Sequence, residues 1–184
     1  MTFQPRHVAG DLYFVTATVA GWRRLFEEQA FAQIVLDSLT WHRDHRRCKV
    51  FAFVIMPHHV HAVIQPMDGQ TISGILQSFG SYTAHRILNE LRNQNRLDLV
   101  RYFHGQALRA NSGEEHRIWQ KIQAKNIYSA AFLRQKLEYL HNNPVAKGWK
   151  LAEERWQYRY SSACYYDRGM PPLIPIDDAG ELFG

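Results

Sequence analysis

With 184 residues, a hydrophobic fraction of 46% and only two, unpaired cysteines (Cys48 and Cys164), the chain fits one domain that buries its own core, without a disulfide framework or a structural zinc site. Its 22 Lys and Arg against 17 Asp and Glu give a formal +5, a modest basic bias that permits a nucleic-acid partner without demanding one. Apolar runs are short and the amino terminus, MTFQPRHVAGDLYF, lacks the charged-then-apolar order of a signal peptide, so no membrane span is expected and the setting is cytoplasmic and reducing.

Taken in order, Asp11 to Val19 (DLYFVTATV) is rich in β-branched and aromatic residues and predicts a buried strand that Gly21 ends. Residues 27 to about 45 place Phe31, Ile34, Val35, Ser38 and Trp41 or His42 at helical spacing, predicting an amphipathic helix that runs into the basic cluster Arg43 to Arg47. His42 and His45 lie three apart there and are expected to be a polar helix end rather than a metal pair.

Phe51 to Pro66 (FAFVIMPHHVHAVIQP) predicts a hairpin turning at Pro57 and His58. Its first half is apolar on both faces, the pattern of an inner strand. On the second half His59 and His61 share one face while Val60, Ala62 and Ile64 take the other. Two imidazoles with Cα atoms roughly 6.5 to 7 Å apart can grip one divalent cation, because neutral imidazole donates a lone pair without bringing charge. A third ligand must come from elsewhere.

Thr71 or Ser73 can cap a second helix with Ile72, Leu76, Phe79, Thr83 and Ile87 as its stripe. From Asn93 to Arg117 the pattern weakens into polar and basic residues, predicting a flexible insertion at 93–117 with a loop at Asn111, Ser112 and Gly113. Ser129 to Lys147 (SAAFLRQKLEYLHNNPVAK) predicts a capped helix with Phe132, Leu133, Leu137 and Leu140 inward and an end enforced by Pro144. Tyr139 and Asn143, four apart, share a face and could bring a nucleophile and a third metal ligand to the histidines. Trp156, Tyr158 and Tyr160 alternate with polar residues as a final strand would. The tail at 171–184 is expected to be extended over the surface.

The segments IMPHHVHAVIQP, WQ, KLEYLHNNPV and WQYRYSS, in this order between about Leu12 and Tyr166, resemble the REP-associated tyrosine transposases. These are relatives of the single-tyrosine insertion-sequence transposases within the HUH nuclease superfamily. The resemblance implies an α+β fold, an antiparallel sheet of ferredoxin-like or RRM-like type with helices packed on it, formed by a single domain over 1–184. It implies that His59 and His61 bind a divalent metal, Mg or Mn, that Tyr139 is the nucleophile, and that Asn143 completes the metal shell. The partner implied is single-stranded or hairpin DNA, with the protein nucleoid-associated when bound, as a monomer or a homodimer. Cleavage would leave a 5′-phosphotyrosine and a free 3′-OH. Trp119 and Gln120 could stack on and read an unpaired base, and Arg101 and Arg109 could grip DNA. The alternative is a catalytically degenerate protein that binds structured nucleic acid, favoured if Tyr139 and Asn143 lie buried away from the histidines.

Overall fold

The first strand, β1 (Leu12–Val19), alternates its apolar side chains so that Tyr13, Val15, Ala17 and Val19 enter one core and Leu12 and Phe14 another, and the rest of the molecule is layered on that division. The computed structural model describes residues 11–182, the side chain of Glu181 excepted, so the expectation about an amino-terminal signal lies outside the described residues.

The chain continues through α1 (Gln29–Asp44), the hairpin β2 (Cys48–Met56) and β3 (His59–Pro66), α2 (Ile72–Asn93), α3 (Leu97–Ala110) and β4 (Trp119–Ile127). It then forms α4 (Ala130–Asn142) and the short α5 (Ala163–Arg168). The four strands make one fully antiparallel sheet in the order β2-β3-β1-β4. Strand, helix, two strands, helices and strand in that sheet order is the ferredoxin-like arrangement. On one face α1 and α2 bury Phe31, Val35, Ile75, Phe79 and Ile87 against Val15, Ala17, Phe53 and Ala62. On the other, α4 buries Leu133, Leu137 and Leu140 against Phe14, Val54 and Val63.

Local signals explain most elements. The N–H of Gly74 donates to Thr71 Oγ1 at 3.1 Å, the cap expected for α2. Gly21 stops β1 with φ +63, and a Cβ there would collide with the Tyr102 hydroxyl.

Four expectations are corrected. Apolar on both faces, β2 is nevertheless an edge strand, because its outer row of hydrogen-bonding groups is taken by the carboxy-terminal segment rather than by another strand. Ile55 N–H donates to Tyr160 O, Ser162 N–H to Phe53 O, and Asp177 both accepts from the Val50 N–H, at 2.8 Å, and donates its own N–H to Val50 O, at 2.7 Å. The stretch at 93–117 is mostly α3, seated through Leu99, Phe103 and Ala107; three apolar residues every fourth position among polar ones made a helical stripe too thin to detect. The aromatic run near Trp156 is a 3-10 turn at Arg155–Gln157 with a capping box from Glu154 and Gln157, followed by a single bridge from Ser161 to Val54. The tail is docked rather than merely extended, since Ile174 and Ala179 are buried and Asp177 pairs with Arg43 at 3.1 Å.

His42 also departs from a solvated helix end. It is buried with Nδ1 on the Ser38 carbonyl at 2.7 Å, while His45 stacks on exposed Trp41.

Candidate active site

Antiparallel register places Thr18 opposite His59 and Thr16 opposite His61, so both histidines project from β3 onto the α4 side of the sheet. Their ring centroids lie 4.8 Å apart. His61 is buried, and its Nδ1 shares a 2.9 Å hydrogen bond with Thr16 Oγ1. That bond leaves Nε2 buried with no protein partner. Burial, with His59 adding to it, lowers the pKa of His61 to about 3; burial and His58 lower that of His59 to about 4. Both imidazoles are therefore neutral near pH 7, the state in which a ring nitrogen can donate its lone pair. His58, at the hairpin turn, has its Nδ1 3.1 Å from that of His59 and its ring 5.1 Å from the indole of Trp149.

The facing element is α4. Its first turn is capped by Ser129 Oγ, which accepts the Phe132 N–H at 3.2 Å, and its Leu133, Leu137 and Leu140 stripe sets the rotation of every other side chain on it. That rotation leaves Tyr139 51% exposed, with its ring 5.4 Å from His61 and 6.0 Å from Phe14. Pro144 does not push Asn143 out of helical geometry: φ −51 and ψ −48 keep it one turn below Tyr139 on the same side. Its Nδ2 is buried without a partner. Beyond the site, Arg155 fixes α4 to α5, donating to Glu138 at 2.6 Å and through two nitrogens to Asp167 at 2.7 and 2.8 Å.

A divalent cation fits this donor set in part. His59 and His61 offer neutral nitrogens on one face, and Asn143 brings an amide oxygen that could join them, its buried Nδ2 being a hydrogen-bond donor and no ligand. No group of three or more His, Cys, Asp or Glu is assembled among the described residues, so any shell would rest on these two imidazoles, the amide and exchangeable ligands.

The other expected residues are not gathered here. Trp119, half-buried, packs against Phe26 and Phe79 at the edge of the α1–α2 core and donates Nε1–H to Thr83 Oγ1 at 2.9 Å. Gln120 Oε1 accepts the Gly21 N–H at 3.3 Å. Arg101 and Arg109 are exposed on α3, which packs into the α1 and α2 core. Tyr128, 79% exposed, precedes the α4 cap and stacks on Phe132.

Two contributors escape sequence reasoning. Thr16 orients His61, a pairing between strands 45 residues apart that no local pattern announces. Lys136 holds its Nζ 4.8 Å from the Phe14 ring centroid and 5.4 Å from that of Tyr139, although its place one turn before Tyr139 was visible in the helical spacing.

The profile of the IS200-like transposases matches residues 13–107. Among solved structures, a REP-associated tyrosine transposase bound to a REP hairpin superposes with a TM-score of 0.61 at 18% identity, over 97% of this chain and 92% of that one. A candidate transposase from Deinococcus radiodurans R1 covers 77% of this chain and 97% of its own at 13% identity, with a TM-score of 0.45. No curated protein sequence matches significantly. The first likeness establishes a shared fold.

Proposed function

This chain belongs to the IS200-like transposase family, whose members cut and rejoin DNA, and we propose that it acts as a divalent-metal-dependent endonuclease and strand transferase on single strands carried by hairpin or palindromic DNA. The observation that carries the proposal is the approach of Tyr139 to His61, 5.4 Å between ring centroids, at a place where the tyrosine stays open to solvent. The REP hairpin bound by the solved protein of the same fold is the type of substrate we assign to this one. The whole chain acts as one domain.

Tyr139 is the nucleophile. Its Oη attacks the scissile phosphorus, an O–P bond forms as the P–O3′ bond breaks, the phenolic proton leaves to solvent, and the departing 3′ oxygen gains a proton. The products are a 5′-phosphotyrosine and a free 3′-OH, and attack by the 3′-OH of another strand reverses the step without external energy. His59, His61 and Asn143 are the residues that would hold the metal; Mg²⁺ or Mn²⁺, when bound, would polarise a non-bridging phosphate oxygen and offset its charge. Thr16 keeps the His61 ring turned so that Nε2 points into the site. Tyr139 and His61 meet within a single chain, which supports cleavage in cis by a monomer. The same meeting counts against a degenerate binder, for which Tyr139 would lie buried away from the histidines.

The test is incubation of labelled hairpins bearing single-stranded extensions with Mg²⁺ or Mn²⁺, followed by denaturing electrophoresis. Label on the protein band, lost on chelation and in Tyr139→Phe, is the expected result. Binding without any covalent band would favour the degenerate reading, and label persisting in Tyr139→Phe would exclude that tyrosine.

A further inference from the structure

Three rungs cross the sheet on its α4 side. Reading from β3 through β1 to β4, they are His59, Thr18 and Lys121; His61, Thr16 and Gln123; and Val63, Phe14 and Lys125. Lys121, Gln123 and Lys125 are all exposed, whereas Ile122 and Ala124 between them pack into the opposite core. β4 is the free edge of the sheet, and α4 does not cover this part of it. The Lys125 Nζ lies 5.1 Å from the centroid of the Phe132 ring, and the Lys136 Nζ lies 5.2 Å from the same ring. Two ammonium groups thus share one phenyl ring, and among the described residues neither they nor Lys121 have a carboxylate partner. The ring quadrupole can hold the cations in place but cannot cancel their repulsion. An anion can.

We propose that Lys121, Gln123, Lys125 and Lys136 form a phosphate track that carries the sugar-phosphate backbone of the single strand to Tyr139. The assignment rests on the function proposed above and names the part of the substrate that this face holds. Alternate residues of a strand stand roughly 6.5 to 7 Å apart, a repeat commensurate with successive phosphates of an extended strand. β4 lies two inter-strand spacings from β3, about 10 Å, so the track sits a nucleotide or two from the bond at the histidines. Lys136 forms the end of the track at the tyrosine, with Nζ 5.4 Å from the Tyr139 centroid. The lysines meet phosphate charge irrespective of base, and Gln123, in the rung of His61, can hydrogen-bond either phosphate or a base edge.

The experiment measures the affinity of a fluorescent hairpin with a single-stranded extension, and of the same hairpin cut blunt, across a NaCl series. It is done in the Tyr139→Phe background, so that binding is read whether or not the chain cleaves. Each backbone contact to a single strand contributes about 0.7 to the slope of log affinity against log salt. Lys121→Ala with Lys125→Ala should therefore reduce that slope by about 1.4 and weaken the extended hairpin roughly 20-fold at 0.1 M salt, leaving the blunt hairpin unchanged. Lys136→Ala should lower the slope by about 0.7 and, with Tyr139 intact, slow covalent attachment. Arginine at each position should restore the slope. An unchanged slope, or an equal loss on the blunt hairpin, would overturn the track. Absence of a covalent band in the Tyr139 protein, with the slope change present, would overturn the nuclease and leave the track standing. All three side chains lie at the surface, and thermal unfolding of each variant checks that the fold is kept.

Discussion

On one face of the sheet α1, α2 and α3 close a continuous apolar core in which Phe31, Val35, Phe53, Ile87 and Phe103 have no exposed surface. On the other face α4 covers β2, β3 and the Leu12 end of β1, then stops, leaving Thr16 and Thr18 half-exposed and the β4 lysines in solvent. The first face is largely apolar, with Ser38, His42 and Thr83 as its buried polar groups, and contributes most of the hydrophobic stabilisation. The second brings two neutral histidines on β3 to face a solvent-accessible tyrosine on α4, with a buried amide nitrogen one turn below it. A fold in which one face suffices for cohesion can leave the other with histidines, an amide and an open tyrosine gathered around one point.

The largest test of this division is Phe53→Ala. Removing a fully buried ring from the closed face should cost about 3 to 5 kcal/mol in chemical denaturation, whereas Tyr139→Phe on the open face should move stability by less than about 0.5 kcal/mol while abolishing the covalent adduct. Comparable losses from the two would erase the distinction.

Acid should expose a weakness behind the open face. His141 is buried with Nε2 2.9 Å from Ser162 Oγ, and burial, reinforced by Arg155 against the opposite pull of Asp167 and Glu138, lowers its pKa to about 4. The unfolded chain takes up that proton near 6.5, so the contribution of neutral His141 is complete above pH 6.5 and erodes as pH falls towards 4. The loss should approach about 3 kcal/mol, and His141→Gln should remove that share of the acid slope while the shares of His59 and His61 remain.

Next in size is the aim of the His61 ring. Thr16→Val removes the hydroxyl on Nδ1, and the affinity for Mn²⁺, followed by water-proton relaxation, should fall about 10- to 100-fold, the range for losing an outer hydrogen bond to a ligating histidine. An unchanged affinity would mean that packing alone sets the ring. Smallest is Tyr128→Phe, for which covalent labelling should stay at the unmutated level, because Tyr128 stacks on Phe132 ahead of the α4 cap. A loss of labelling there would shift the nucleophile to the other end of the helix.

Strands and helices with thick apolar periodicity were legible in the sequence: β1, α1, the β2–β3 hairpin, α2 and α4 appear where spacing and caps predict them. So was the sharing of faces within an element, which put His59 beside His61 and Tyr139 above Asn143. Thin stripes were not: α3 carries three buried residues, and β4 sets Ile122 and Ala124 on one face and Ile127 on the other, between lysines and glutamines. The aromatic alternation near Trp156 misled because the backbone partner it needed was available only at Ser161.

Local periodicity by itself therefore determined the histidine pair and the tyrosine helix, since both are properties of residues close in sequence, and the motifs they carry are what resemble a family. Only the tertiary structure decided that Thr16 turns His61, that the carboxy-terminal segment seals the edge of β2, that Trp119 packs half-buried against the α1–α2 core, and that lysines of β4 and α4 converge on Phe132. Each of these joins residues brought together by strand order or helix docking, and the energy that selects such a pairing, burial of one particular face against another, belongs to the packed chain and to no segment of it.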